Sequence, residues 1–445
     1  METLENRLQK RIHASLYALL FLTGLLGLSV LLEGCTDKCD VTYRYTYFEP
    51  VYMSMEEIRT MAEVTVPQPM EQVGKIYYKD GILFINEPGK GIHLVDNHDP
   101  AQPRPLKFLQ IPGNYDLAIR GNTLYADSYV DLVAFDVSNL EGIREVARLE
   151  NIFNHYMVLG SFQNNDERVL TDFVQKSNVE IVESECGASV RPWGGILYDE
   201  GIALRYESLA NFSAQAAIAP GQGSGSGVGG SMARFTINGT HLYLLNGADL
   251  QSINVSTPNA PIEGTRTTIG WDIETIFPYK QYLFIGSSSG MHIIDVSDRD
   301  APVRLSTYAH VRSCDPVVVD DQYAYVTLRS GTMCQGFTNQ LEVIDISNLA
   351  APELLATYPM TNPHGLGLDG KLLFVCDGND GLKAFDASDV YAINQRKLAH
   401  YKGIHAYDVI PFNDVLIMIG ADGLFQYDYS DPKAIRLLST LPLRR

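Results

Sequence analysis

The chain has 445 residues, with 53 acidic side chains against 34 basic ones and a net charge of −19. So acidic a surface repels phosphate backbones, which argues against nucleic acid as a partner. Hydrophobic residues make up 45% of the sequence, enough for a large core, and one apolar run alone approaches the length of a membrane span.

That run comes first. Arg7, Lys10 and Arg11 precede the apolar stretch Ala14–Leu32, and Leu32-Glu33-Gly34-Cys35 follows it. A basic flank, an apolar segment and a small residue before a cysteine predict a secretory signal over residues 1–34, with Cys35 as the lipidated first residue of the mature protein. The competing reading is an uncleaved membrane anchor. Both put the rest of the chain outside the cytoplasm, and the lipoprotein reading implies a bacterial cell envelope, at the outer membrane or the surface. Residues 35–72 then read as a lipid-anchored tether ending in a strand, Thr60–Val66, expected to close a ring by contacting the last repeat.

From residue 73 onward a short phrase recurs. It reads IHLVD (92–96), LVAFD (132–136), LQSIN (250–254), MHIID (291–295), LEVID (341–345), LKAFD (382–386) and LFQYD (424–428). The closing residues Asp96, Asp136, Asn254, Asp295, Asp345, Asp386 and Asp428 stand 40, 118, 41, 50, 41 and 42 residues apart. A period near 40 filled with short strands predicts an all-β chain, a seven-bladed β-propeller of four-stranded antiparallel blades over 73–445. The unit 271–311 shows the pattern best, with strands at Glu274–Pro278, Tyr282–Gly286, Met291–Asp295 and Val303–Ala309. Each closing Asp precedes a turn, where its carboxylate can accept a backbone N–H two residues on. These acids therefore read as turn caps.

The long interval contains one repeat and a surplus over residues 151–230. That surplus ends in GQGSGSGVGGS (221–231), a Gly/Ser-rich linker that reads as an insertion more readily than as a degenerate eighth blade. Within it, Asn178–Glu185 has the composition of a local strand.

The seven phrases resemble the LVIVD-repeat proteins, bacterial and archaeal cell-surface β-propellers. The resemblance covers residues 73–442 apart from the insertion. It implies the fold, and it carries no common activity onto numbered residues.

With Cys35 assigned to lipid, five cysteines remain. Cys314 opens an inner strand and Cys334 lies in the extra residues of the same repeat, so an oxidising compartment makes them the candidate disulfide. Cys376, inside LLFVC, reads as a buried thiol. No CxxC pair is present, and no cofactor is expected. GSSSG (286–290) matches a hydrolase pattern but falls on a hairpin, where a nucleophile elbow cannot form. DGNDG (377–381) lacks the spaced acids of a calcium loop.

The chemistry most open to a ligand lies where the inner strands begin, at the mouth of a propeller channel. Comparable positions there hold Lys75, Tyr115/Asp116, Arg234, Glu274, Asp315, His364 and His405/Tyr407/Asp408. Two readings follow for the candidate set Asp116, Arg234, Glu274, Asp315, His364 and His405. In one, the groups satisfy loop backbone and water at a wet opening. In the other they hold a ligand or metal, with His364 and His405 as nitrogen donors and Asp315 or Asp408 as carboxylate donors. The function expected is a membrane-anchored, non-catalytic scaffold for a protein or glycan partner. The alternative is an exported enzyme acting on carbohydrate through His, Asp and Glu at the same mouth.

Overall fold

The computed structural model describes residues 38–153, 168–185, 228–231, 233–271, 273–310, 316–330 and 338–444, with isolated positions 13, 15, 17, 19 and 23. The chain divides into two compact units, Met1–Pro50 with Phe173–Asp199, and Val51–Asp172 with Glu200–Arg445.

The second unit is almost entirely β. Among the described residues, seven antiparallel sheets follow one another along the chain, spanning 76–110, 117–149, 235–268, 273–309, 317–359, 366–401 and 406–442. Each predicted repeat interval contains one of them. In the fourth sheet the strands are Ile273–Tyr279, Tyr282–Ser287, Gly290–Asp295 and Val303–Ala309, within a residue of expectation.

The second strand of every sheet is buried on both faces. Leu83, Leu124, Leu242, Leu283, Ala324, Leu373 and Leu416 have no solvent exposure. The next residue is aromatic in six sheets, as Phe84, Tyr125, Tyr243, Phe284, Tyr325 and Phe374, all buried. Each such ring contributes about 1.5–3 kcal/mol on burial. Fourth strands face water instead: Ile262–Thr268 is exposed at nearly every position.

The closing acids act as predicted. Asp96, Asp136, Asn254, Asp295, Asp345, Asp386 and Asp428 each accept the backbone N–H two residues on, at 2.7–3.2 Å. A second cap follows three residues later in six sheets. Asp99, Asn139, Asp298, Asn348, Asp389 and Asp431 repeat the same bond, at 3.0–3.2 Å. Two consecutive Asx turns thus carry the chain from third strand to fourth. All seven third–fourth pairs also shift register once, a bulge that twists the outer edge.

First strands of successive sheets lie side by side from the first sheet to the seventh. Side chains bond each sheet to the next. Tyr77 donates to Ile119 O (3.2 Å), Tyr125 to Pro258 O (2.8 Å), Tyr243 to Arg299 O (3.1 Å) and Ser306 to Leu349 O (2.6 Å). Tyr358 donates to Val390 O, and Tyr401 to Ile435 O at 2.6 Å. The first and seventh sheets meet as well. Ile76, Leu83, Ile85 and Val95 share an apolar cluster with Ile410, Ile417, Ile419 and Leu424.

One expectation is corrected. The strand before the first sheet, Glu63–Thr65, pairs with Arg104–Gln110 of that same sheet and so does not complete the last one. The seventh sheet already has four strands of its own, which leaves no gap for an incoming strand to fill. The tether and the insertion also join each other: Lys38–Ser54 and Arg168–Glu185 form a two-stranded sheet. Tyr43, Tyr45, Tyr47 and the expected strand Asn178–Glu185 fall within these two long strands. No further four-stranded sheet occurs among the described residues.

Ser54 ends the first of these strands and caps the helix Met55–Thr60. Its hydroxyl accepts Glu57 N–H (3.2 Å) while the Glu57 carboxylate accepts Ser54 N–H (2.8 Å). Arg59, on that helix, grips the fully buried Asp131 of the second sheet at 2.8 and 3.1 Å.

Candidate functional site

The polar residues at the starts of the first strands come together as two neighbouring clusters, each part buried and part half-buried. The first contains Lys75, Asp116, Asp127, Arg234 and Asp408. Asp116 Oδ1 accepts Leu117 N–H (2.7 Å), and Oδ2 accepts the backbone N–H of Arg234 (2.6 Å). Behind it, Asp127 Oδ1 accepts from Tyr115 N–H (2.7 Å), Asp116 N–H (2.9 Å) and Asn114 Nδ2 (2.8 Å). Asn86 Nδ2 donates to Asn114 Oδ1 at 2.7 Å, so a chain of amides and carboxylates links the first three sheets.

Burial governs the titration here. It pushes the Lys75 ammonium down, with the Asp116 charge opposing, and pushes the Asp116 carboxyl up, with Lys75 opposing. Asp127 is pushed up to about 7, first by burial. Asp408 is fully buried and goes well above the usual carboxylate range for the same reason.

The second cluster contains Arg329, His364, His405 and Tyr407, beside Glu274. Arg329 Nη1 lies 2.7 Å from His364 Nδ1 and 3.0 Å from Nε2. The His364 and His405 rings are 5.6 Å apart, and Tyr407 lies 5.4 Å from the first and 4.8 Å from the second. Burial moves Arg329 down to about 10, with Glu274 opposing. Burial and then the Arg329 charge hold His364 well below its ordinary value, and His405 is lowered by the same two causes. Both imidazoles are therefore neutral at pH 7. The buried Nε2 of His405 has no hydrogen-bond partner among the described residues.

Gly365 joins the clusters. Its N–H donates to Tyr407 O (2.8 Å), and a β-carbon at this position would lie 1.9 Å from Asp408 Oδ1. Only glycine lets the sixth sheet's backbone approach the seventh this closely.

Of the predicted mouth residues, Asp116 meets Arg234, and His364 meets His405, with Glu274 close enough to act on Arg329. Asp315, Cys35, Cys314 and Cys334 lie outside the described residues. Lys75, Asp116, His364 and Asp408 are buried, and Asp116 satisfies backbone N–H groups, whereas Arg234, Glu274, His405 and Tyr407 keep part of their surface exposed. The metal reading for His364 is corrected, because the Arg329 guanidinium occupies the space beside its nitrogens and opposes a cation. Among the described residues, no group of three or more His, Cys, Asp or Glu could hold a metal ion.

Arg329, Asp127, Asn86 and Ser231 were not singled out in the sequence. Asn86 and Asp127 had a signal, as polar residues interrupting apolar second strands (ILFINE, TLYADS). Arg329 follows such a strand directly, in AYVTLR. Cys376 is a free, fully buried thiol, as expected. GSSSG is the hairpin between the second and third strands of the fourth sheet. In DGNDG, Lys383 pairs with both Asp377 and Asp380, occupying the position a calcium ion would need.

Fold and site together define an all-β repeat protein of four-stranded antiparallel sheets. A family model described as the LVIVD repeat matches residues 276–309 and 312–359, the fourth and fifth sheets, so the chain contains two LVIVD repeats. No curated protein matches the sequence. Among solved structures, the chain is similar to a functionally unknown protein from Desulfotomaculum acetoxidans DSM 771. The identity is 11% and the TM-score 0.49, covering 81% of this chain and 95% of that one. It is also similar to the computationally designed Ika8 protein (9%, TM-score 0.48, 83% and 88% covered). Sqt1 of Saccharomyces cerevisiae gives 8%, a TM-score of 0.48, and 83% and 86%. At these values none of the three bears on function.

Proposed function

We propose that this protein is a seven-bladed β-propeller held at the bacterial cell envelope by lipid on Cys35, and that it serves as a non-catalytic scaffold for a protein or glycan partner. The ring is supported by the unbroken succession of neighbouring first strands and by the apolar cluster shared between first and seventh sheets. Residues 1–34 are the signal peptide in this reading, 35–72 the anchored tether and 73–445 the propeller, with the insertion at 151–230.

One observation carries the scaffold assignment: the central carboxylates are already engaged inside the protein. Asp116 accepts two backbone N–H groups, Asp127 accepts two more, and Asp408 accepts the Ser231 hydroxyl. Carboxylates so held fasten strand starts to one another. A general acid or base instead needs a reachable proton site.

The test uses residues 36–445 on a glycan array and against a panel of polysaccharides, beside the double variant Asp116→Asn/Asp408→Asn. We expect retention without turnover by the parent, and in the variant a changed melting temperature with retention intact. Cleavage of a polysaccharide by the parent, lost in a variant that melts normally, overturns the scaffold reading in favour of a carbohydrate-acting enzyme.

A further inference from the structure

The last residues of the insertion run among the starts of the first strands. Val228 and Gly229 pair antiparallel with Tyr78 and Tyr77, adding a short strand to the first strand of the first sheet. Continuing that register by two residues sets Ser231 across from Lys75. Ser231 is 1% exposed. Its hydroxyl donates to Asp408 Oδ1 of the seventh sheet (3.3 Å) and accepts Leu366 N–H of the sixth (3.0 Å). Two residues on, Ala233 O accepts Ile276 N–H of the fourth sheet (2.8 Å), and Arg234 N–H reaches Asp116 of the second (2.6 Å). Seven residues thus touch five of the other sheets before entering the third.

We propose that Val228–Ser231 is a strap latched by Ser231, which shuts the centre of the protein and can be withdrawn while the seven sheets stay folded. Its build suits this role. Within the strap the pairing is two residues long, and Ser231 holds its place by one hydroxyl. The preceding residues 221–227, GQGSGSG, offer no apolar side chain to anchor it. Every sheet has a complete set of four strands without it. Under the strap lie Asp408, whose buried Oδ2 has no hydrogen-bond partner among the described residues, and Lys75. Withdrawing Ser231 frees Asp408 directly, so Asp408 and Lys75 form a latent polar site beneath the strap. This inference does not depend on the scaffold reading.

The experiment compares residues 36–445 with Ser231→Ala, which deletes both hydroxyl bonds, and Ser231→Leu, which is also too large for the site. Hydrogen exchange reads the Leu366 amide, and acylation with an N-hydroxysuccinimide acetate reads Lys75 against the exposed Lys402. In the parent we expect slow exchange at Leu366 and Lys75 labelled at least tenfold less than Lys402. In either variant that melts cooperatively, both should rise about tenfold or more. Unchanged protection at both positions in a cooperatively melting variant overturns the strap. So does failure of both variants to fold, which would make the segment a fixed part of the core.

Discussion

The side-chain amides of Asn97 and Gln426 exchange two hydrogen bonds, Asn97 Nδ2 to Gln426 Oε1 at 2.8 Å and Gln426 Nε2 to Asn97 Oδ1 at 2.7 Å. The pair joins the first sheet to the seventh across 329 residues of sequence. Gln426 Nε2 and Ser439 Oγ also reach Pro100 O, at 3.2 and 2.6 Å. Both amides are buried, at 2% and 0% exposure, so neither has water to replace its partner.

Gln426→Ala should therefore destabilise the protein by about 2 kcal/mol, because it leaves the Asn97 amide buried and unsatisfied. A double-mutant cycle with Asn97→Ala, followed by urea denaturation, should give a coupling on the order of 1–2 kcal/mol. A coupling of zero would mean that the amide pair does not hold the first and last sheets together.

The buried tyrosines of the second strands separate by their partners. Tyr125 and Tyr243 donate to backbone carbonyls of the next sheet, whereas the buried Tyr325 hydroxyl has no partner among the described residues. Tyr125→Phe and Tyr243→Phe should each cost about 1 kcal/mol, while Tyr325→Phe should be neutral or stabilising. Three equal losses in thermal denaturation would contradict the assignment of these contacts.

Asp131 has no exposed side-chain surface and holds the roots of two segments. Its carboxylate accepts from Arg59, from Arg148 (3.1 Å) and from Asn151 N–H (2.9 Å), where the insertion begins. Asp131→Ala leaves two guanidinium groups without their common partner and should cost about 3 kcal/mol. Limited proteolysis should then cut faster both near Met55–Thr60 and near Asn151. Cleavage at neither place would show that the ion pairs do not anchor these roots.

Asp127 gives the pH dependence a direction. Its folded value of about 7 lies above the ordinary 3.8. The stability it contributes is fully present below about pH 3.8 and is lost as pH rises through about 7. Asp127→Asn keeps an Oδ1 acceptor for the same three donors and removes the titration. The variant should match the parent near pH 4 and exceed it by up to about 4 kcal/mol at pH 8. Parallel stability curves for the two proteins from pH 4 to 8 would refute the shift.

For export, Cys35→Ala should abolish incorporation of labelled palmitate in a bacterial host. Label retained in that variant would exclude Cys35 as the acylated residue.

The repeat was legible in the sequence because its physics is local. An Asx turn needs one carboxylate and an N–H two residues away, so Asp96 through Asp428 recur at a readable spacing wherever the third strand ends. Second strands were legible too, although they do not alternate. They are packed on both faces, which makes each an apolar run of five or six residues between turns.

What the tertiary structure decided concerns partners far apart in sequence. Glu63–Thr65 has the composition of an edge strand and suits any outer edge. Its side chains cannot say that Arg104–Gln110 offers that edge while the seventh sheet is already complete. Lys38–Ser54 and Arg168–Glu185 likewise carry no local mark of each other. At the centre, Asp116 and His364 were visible as polar residues beside apolar strands. Whether they face water or the protein depends on Arg234 N–H for the first and Arg329 for the second, which come from other parts of the chain. A charged group's hydration is fixed by everything packed around it, so the burial of Asp116 and His364 was decided only by the assembled sheets.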